Sequence, residues 1–376
     1  MIPRLLQNII IEKLLNSNKA IVIYGARQVG KTTLSNEIIL KSNLKTLFIN
    51  GDQLKYIEIL SSLDLNKYKA LVENYNLIFI DEAQRIPEIG IAIKIMVDNF
   101  PKLKILVTGS SSLDLASKVS EPLTGRILSY RLYPISFKEL NQIHNKFELN
   151  DLLEERLIFG SYPEVISMLN INEKVEYLRN LTEGYLYKDL LDFGEIKNSS
   201  KIRDLLKLLA FQIGSQVSLS ELGNSLGMSK DTVSRYIDLL EKSYVIFRLK
   251  GFNRNLRKEV TKMDKVYFFD LGIRNSLIDN FKTIKDRNDV GAMWENFLIT
   301  ERLKYLSHSH DYASIYFWRL YTGAELDFVE EKHGDIFGYE FKLGSKIAKA
   351  PNSWTVTYPN SSYKYINREN YLDFII

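Results

Sequence analysis

The sequence predicts an α/β protein built on a parallel sheet, followed by a second region in which helices and strands mix. Three observations carry this. Four short, continuous, β-branched apolar runs occur early: AIVIY (20–24), TLFIN (46–50), LIFID (77–81) and KILVTG (104–109). Runs of that texture are what strands buried on both faces look like. Longer amphipathic stretches separate them, and strand alternating with helix requires crossover connections and helices on both faces of a parallel sheet. Finally, 376 residues with 45% hydrophobic and 26% charged side chains are too many for one ordinary core and fit a globular chain of two to four domains.

The first run leads directly into the most specific motif of the chain. Gly25, Ala26, Arg27, Gln28, Val29, Gly30, Lys31 and Thr32 form a complete G-x-x-x-x-G-K-T, followed by Thr33 and by a helix whose Leu34 and Ile38 lie one turn apart. A strand before and a helix after are the context a phosphate loop requires. The glycines let backbone N–H groups turn inward around phosphates, and the helix amino end adds its positive dipole. Lys31 reaches the outer phosphates and the Thr32 hydroxyl holds Mg²⁺.

The third run supplies the other half of such a site. Asp81 emerges at the carboxyl end of a buried strand, the edge where open parallel sheets bind ligands, and can reach the Mg²⁺ shell. Glu82, next in the chain, is the candidate base that orients or deprotonates water for attack on the γ-phosphate. No N-K-x-D occurs anywhere, so the usual guanine reader is missing and ATP is the expected nucleotide. The fourth run ends in small hydroxyl residues, of which Thr108 and Ser110 are candidates to touch the γ-phosphate or the attacking water. Farther on, Arg126 follows Gly125 and lies near Arg131; either could act as an arginine finger on a neighbouring subunit's nucleotide.

Composition removes several chemistries. There is no Cys, and the four His are His144, His308, His310 and His333, which excludes disulfide frameworks, thiol catalysis, zinc ribbons and His-rich metal sites. His308 and His310 read as loop residues. No apolar run reaches the roughly 18 residues of a membrane helix, and Glu12 and Lys13 follow the short apolar start without a cleavage site. The expectation is a soluble, cytoplasmic protein with no membrane partner.

Beyond Arg131 the texture turns helical. Ser136 and Glu139 form a capping box, and residues 151–192 read as helices without a convincing strand. Taken together, IVIYGARQVGKTTL, LIFIDEAQRIPEIG, ILVTGSSSLDL and LTGRILSYRLYPISFKEL resemble the AAA+ superfamily, and within it a group of archaeal and bacterial ATPases, over about residues 1–190. Ala26 stands where that group usually has Pro. The resemblance implies that Lys31 and Thr32 belong to Walker A, Asp81 and Glu82 to Walker B and Thr108 to Ser110 to sensor 1, and that the protein forms a homo-oligomer with nucleotide at the subunit interface. Asp-Glu-Ala-Gln (81–84) also resembles a helicase box, but no second RecA-like domain or later helicase motif follows.

Ser218 and Glu221 open a short helix that stops at Gly227; a second helix then presents Val233, Ile237 and Leu240 on one apolar face. With the strand-like YVIFRL (244–249) this resembles a winged helix whose second helix would offer Lys230, Ser234 and Arg235 to DNA. The formal net charge of +4 is small, yet residues 248–265 carry seven basic against two acidic residues. Such clustering predicts salt-sensitive binding to a phosphate backbone. In the last hundred residues, Glu295 on a helix, Asp327 in a strand and Glu340 with Lys342 on one face of another resemble the PD-(D/E)xK restriction-endonuclease-like fold, in which Asp327 and Glu340 would hold Mg²⁺. The tail 346–376 promises one or two closing strands.

The resulting organisation is an AAA+ P-loop core (1–135), a helical lid (136–200), a winged helix (201–265) and a PD-(D/E)xK-like α/β domain (266–376). Three functions remain open: an ATPase that couples Mg-ATP hydrolysis to a DNA-binding carboxyl module, a nucleotide switch that binds ATP with little turnover, and an ATP-gated Mg²⁺ nuclease.

Overall fold

The four apolar runs become strands β1 (Ala20–Tyr24), β2 (Thr46–Asn50), β3 (Leu77–Asp81) and β4 (Lys104–Gly109) in the computed structural model, which describes residues 2–109, 125–186, 199–253, 264–309, 312–344 and 348–376. A fifth strand, β5 (Ile127–Arg131), completes a parallel sheet in the order β2-β3-β4-β1-β5. Its residues alternate between half-buried and exposed, which is why its sequence does not stand out as a buried run. β2 departs from the expectation of burial on both faces. It is an edge strand, and Phe48 is 54% exposed.

Helices Leu6–Asn16, Lys31–Ser42, Leu54–Ser61, Leu65–Val72 and Ile89–Asn99 supply the crossovers and flanks. The helix after the phosphate loop buries Leu34, Ser35, Ile38 and Ile39, one stripe at the helical period. Asp64 starts another by accepting from the Asn66 and Lys67 amides. These elements make up one compact unit, Met1–Tyr133 with Lys242–Tyr244; Pro134–Glu241 with Val245–Ile376 make up a second.

The second unit begins with the Ser136 capping box, in which the Glu139 amide donates to Ser136 Oγ at 3.1 Å and the Ser136 amide donates to Glu139 Oε2 at 2.9 Å. Helices Lys146–Phe159, Pro163–Ser167 and Ile171–Asn180 follow, then Ser199–Phe211, Leu219–Leu226 and Lys230–Lys242. Gly227 ends the Leu219–Leu226 helix in the left-handed region at φ 61°, as the helix–turn–helix reading requires.

Strands β6 (Ile246–Gly251), β7 (Lys265–Phe268), β8 (Ser314–Arg319), β9 (Glu325–Lys332), β10 (Asp335–Phe341) and β11 (Ser362–Ile366) form one six-stranded sheet in the order β11-β10-β9-β8-β6-β7. β6 and β7 pair antiparallel, and β6 also pairs parallel with β8 through Lys250 opposite Tyr316 and Gly251 opposite Phe317. The hairpin strands after the three helices are therefore continuous with the carboxyl sheet, and the boundary drawn at 265/266 falls within β7. Phe252, Trp318, Leu326, Val329, Ile336 and Trp354 form a core cluster in this unit.

One expectation for this unit changes, and the closing strand expected of the tail is present. His308 is the last residue of the long helix Val290–His308 and is buried, because that helix carries its packed stripe through Leu306 to its end; His310 lies outside the described residues. The tail contributes β11, parallel to β10, and two short helices, Asn352–Thr357 and Tyr371–Ile375. Phe374 of the last helix packs on the rings of Tyr339 and Phe341 at 4.8 and 5.6 Å. Among the described residues no helix is long and apolar enough to cross a membrane.

Asp289, at the start of the Val290–His308 helix, accepts from Arg274 and from Arg287 Nε and Nη2, the last two at 2.8 and 2.7 Å. Burial pushes its pKa up, but the hydrogen bonds from Arg287 and Arg274 outweigh burial and hold it at about 2. A carboxylate held below its unfolded value contributes stability that is full above about pH 4 and is lost as pH falls toward 2. After allowance for solvent screening, Asp289→Asn should cost about 1–2 kcal/mol at pH 7. Denaturant unfolding followed from pH 7 down to pH 3 checks this; a difference from wild type that does not shrink on acidification rejects it.

Candidate nucleotide site

Strands β1, β3 and β4 end side by side, so the three sequence segments that carry the candidate chemistry meet at the carboxyl edge of the first sheet. Ile23 is level with Thr108, and Asn50 with Asp81. The loop 25–30 leaves β1 where the strand order reverses between β4 and β5, the place at which open α/β sheets bind ligands.

The loop's backbone is built for turning N–H groups inward. Gln28 and Gly30 lie in the left-handed region at φ 59° and 94°, and Gly30 is the residue from which the Lys31–Ser42 helix starts. Glycine at 30 meets that conformation without a Cβ penalty. Lys31 is 6% exposed, and its ammonium donates to the Gly25 carbonyl at 3.0 Å and the Ala26 carbonyl at 2.8 Å. It is thus folded onto its own loop, where incoming phosphate oxygens would replace those carbonyls.

Asp81 is held from three sides. Thr32 Oγ1 donates to its Oδ2 at 2.9 Å, the Glu82 amide donates to its Oδ1 at 3.1 Å, and Thr108 Oγ1 donates to the same Oδ1. Thr32 and Asp81 therefore present two hard oxygens within one hydrogen-bond length, a donor set that suits Mg²⁺ carried with a triphosphate. Thr108 is fully buried and fixes Asp81 from β4; Ser110 lies outside the described residues.

Glu82 leaves β3 in the left-handed region at φ 51°, and the Gln84 side-chain amide donates to its Oε2. For a non-glycine residue that backbone conformation is uncommon and is held by its surroundings. Here the support comes from Gly51, at the end of β2. A Cβ on Gly51 would lie 2.3 Å from the Glu82 carbonyl oxygen, and the Gly51 amide donates to the Asp81 carbonyl at 2.8 Å.

Arg126 precedes β5, and its carbonyl accepts from the Ala20 amide, so it stands at the sheet edge opposite the phosphate loop of its own chain. Its side chain pairs with Asp98 at 2.7 Å. Arg131, level with Tyr24 at the loop edge, lies over the rings of Tyr244 and Tyr133 at 4.9 and 5.8 Å.

Sequence reasoning missed three participants: Gly51, Gln84 and Arg4. A glycine immediately after a strand was the available signal for Gly51. Arg4 gives no local signal, because its partners are remote: Nη1 donates to the Val29 carbonyl at 2.9 Å and Nη2 to the Tyr133 carbonyl at 2.6 Å. It ties the loop to the segment that follows β5.

The carboxyl-terminal candidates also meet, within the second unit. Lys342 Nζ is 2.8 Å from Glu340 and 4.0 Å from Asp327, whose Oδ2 accepts from the Phe341 amide at 2.7 Å. Glu295 is reached by the Tyr267 hydroxyl and by Lys265 Nζ, which is 3.0 Å from it and 2.5 Å from Glu325. Burial, outweighing the opposing effect of Lys265 and reinforced by Asp327, raises Glu295 to about 7. Among the described residues no group of three or more His, Cys, Asp and Glu is placed to hold a metal ion, and Lys342 lies between the expected pair Asp327 and Glu340.

The charge cluster of 248–265 is also partly spent internally. Arg248 pairs with Glu241 and Asp238 at 2.6 and 2.7 Å, and Lys265 is buried among its carboxylates. Lys250, Lys230 and Arg235 are exposed and Ser234 is half-buried; Arg254, Arg257, Lys258 and Lys262 lie outside the described residues.

Comparison with known proteins agrees with the first unit. Residues 17–141 match the family described as AAA domain, and residues 150–283 and 290–364 match two domains of unknown function (DUF8612 and DUF4143). An uncharacterized protein of Mycobacterium tuberculosis is 26% identical over 89% of this chain and 73% of its own length. One from Methanocaldococcus jannaschii is 29% identical over 69% of this chain and 62% of its own. Similar solved structures include the Walker-type ATPase of Pyrococcus abyssi, at 17% identity and TM-score 0.48 over 72% of this chain and 94% of that one. The RuvB Holliday junction branch migration motor of Thermotoga maritima aligns at 17% identity and TM-score 0.34, over 69% and 95%.

Because Arg4 fixes a carbonyl of the loop itself, Arg4→Ala should weaken ATP-analogue binding about tenfold, equivalent to the roughly 1.4 kcal/mol of one hydrogen-bonded charge, while melting changes little. Titration with a fluorescent analogue decides it, and unchanged affinity removes Arg4 from the site. The loop, Asp81 and Thr108 thus form one cluster within residues 17–141, the stretch that matches the AAA domain.

Proposed function

We propose that this chain hydrolyses Mg-ATP at the edge of the first sheet and couples turnover to a nucleic-acid-binding carboxyl module. The observation that carries the hydrolytic step is the pairing of a fixed Asp81 with Glu82 in a backbone conformation that turns it away from the strand. Asp81 and Thr32 would hold the magnesium ion, which supplies neutralisation of the outer phosphate charge. Lys31 leaves the Gly25 and Ala26 carbonyls to hold phosphate oxygens, and Glu82 orients the attacking water and takes its proton. Positioning and electrostatics thus account for the chemistry.

Arg126 fits this reading only from a second subunit, since it occupies the far edge of its own sheet. A homo-oligomer that places Arg126 beside a neighbour's γ-phosphate is therefore part of the proposal. Lys31→Ala should abolish nucleotide binding, whereas Glu82→Gln and Arg126→Ala should keep it and lower phosphate release by about a hundredfold or more. Phosphate-release assays with and without DNA test this. Equal turnover in wild type and Glu82→Gln removes the base, and binding without turnover in wild type favours a nucleotide switch.

The proposed partner surface contains Lys230 and Arg235 on the second helix of the helix–turn–helix and Lys250; the basic residues 254–262, outside the described residues, join it on their sequence alone. With Arg248 and Lys265 engaged internally, fewer contacts are available than the sequence count suggests. Replacing Arg254, Arg257 and Lys258 together by Ala should reduce the slope of log affinity against log salt by about two to three on duplex DNA. An unchanged slope in fluorescence anisotropy means the segment does not meet phosphate.

A further inference from the structure

The carboxylates of the second unit raise a question that the ATPase reading does not touch. Glu295, Glu325, Asp327 and Glu340, on the Val290–His308 helix, β9 and β10, are near enough to act on one another's charge; Glu295, Asp327 and Glu340 are the three that suggested a divalent-metal site. Yet a lysine from a different element stands among them. Lys265, on β7, is 3% exposed, and its ammonium is 3.0 Å from Glu295 and 2.5 Å from Glu325.

The lysine is anchored from both ends. Its backbone is in register with Leu249 of β6 and bridges Gln216, and its ammonium lies 5.4 Å from the centre of the Phe317 ring. Burial favours the neutral amine, but Glu295 and Glu325 outweigh it and hold the lysine above its ordinary pKa, so the cation is present at neutral pH. Tyr267 donates its hydroxyl to the same Glu295 oxygen that meets Lys265. Lys342 covers Glu340 at 2.8 Å, and Arg319 stands 3.6 Å from Glu325.

We propose that Lys265 is a resident cation that takes the place of a divalent metal in this carboxylate cluster, so that the cluster is closed to Mg²⁺ and Mn²⁺ in the native chain. A metal ion entering would meet this ammonium at Glu295 and Glu325 and that of Lys342 at Glu340 and Asp327, and like charge repels it. The carboxylates then serve to join β7 to the Val290–His308 helix and β9, and metal-dependent phosphodiester cleavage is not an activity of this unit. This inference rests on the second unit alone and is independent of the ATPase proposal.

The test measures Mn²⁺ binding to the full chain by electron paramagnetic resonance, with and without Asp327→Asn to isolate this cluster from the nucleotide site. Wild type and Lys265→Arg should show no component that Asp327→Asn removes, at Mn²⁺ up to the millimolar range. Lys265→Met, which keeps the stem and deletes the charge, should gain such a component at least tenfold tighter than wild type. Wild-type binding that Asp327→Asn abolishes overturns the proposal, even if Lys265→Met does not fold. A folded Lys265→Met that binds no better than wild type overturns it too.

Discussion

The geometry of the nucleotide edge depends on the orientation of one carboxylate. Asp81 accepts from Thr32, Thr108 and the Glu82 amide, so the helix that follows the phosphate loop, the fourth strand and the turn that carries Glu82 are all referenced to the same two oxygens. Because those donors come from three separate strand ends of a parallel sheet, the site exists only when β1, β3 and β4 are in register. Sheet and site form together: the buried β-branched side chains that stabilise the strands also fix where Asp81 points. Gly51 extends the same dependence to a fourth strand, since the absence of a side chain there lets the Glu82 backbone pass.

Charge is handled differently in the second unit. Its buried carboxylates Glu301 and Asp270 are held by partners within the unit. Glu301 pairs with Lys304 at 2.7 Å and accepts from the Phe137 amide at the same distance, and Asp270 accepts from the Ser161 amide at 2.6 Å. Taking such groups out of water is costly unless each is paired and hydrogen-bonded. A buried pair of this kind fixes which elements meet more than it adds net stability, and the sequence offers many alternative partners for each charge.

That difference explains how much was legible beforehand. The positions of the phosphate loop, Asp81, Glu82 and Thr108 at strand ends were readable because they depend on neighbours in the chain: a glycine pattern of fixed spacing, or a polar residue at the end of an apolar run. The Ser136 capping box, the Ser218 cap and the stop at Gly227 were readable for the same reason. Arg4 was not, since its two carbonyl partners are 25 and 129 residues away. Lys265 was counted among surface charges because nothing local distinguishes a lysine that binds phosphate from one that is buried between glutamates. β5 and the Tyr371–Ile375 helix stayed hidden because their residues are short or mixed in polarity, and only packing defines them.

The pairing of β6 with β8 reaches beyond topology. Two residue pairs, Lys250 with Tyr316 and Gly251 with Phe317, stitch the hairpin that ends the helix–turn–helix to the meander of the carboxyl sheet. A fragment cut after β7 would leave β6 with an open row of amides and carbonyls along that side, and a fragment starting there would expose the matching row on β8. Open edges of this kind pair with other chains. The two halves are therefore poor candidates for separate expression, and limited proteolysis between them should yield aggregates rather than soluble modules.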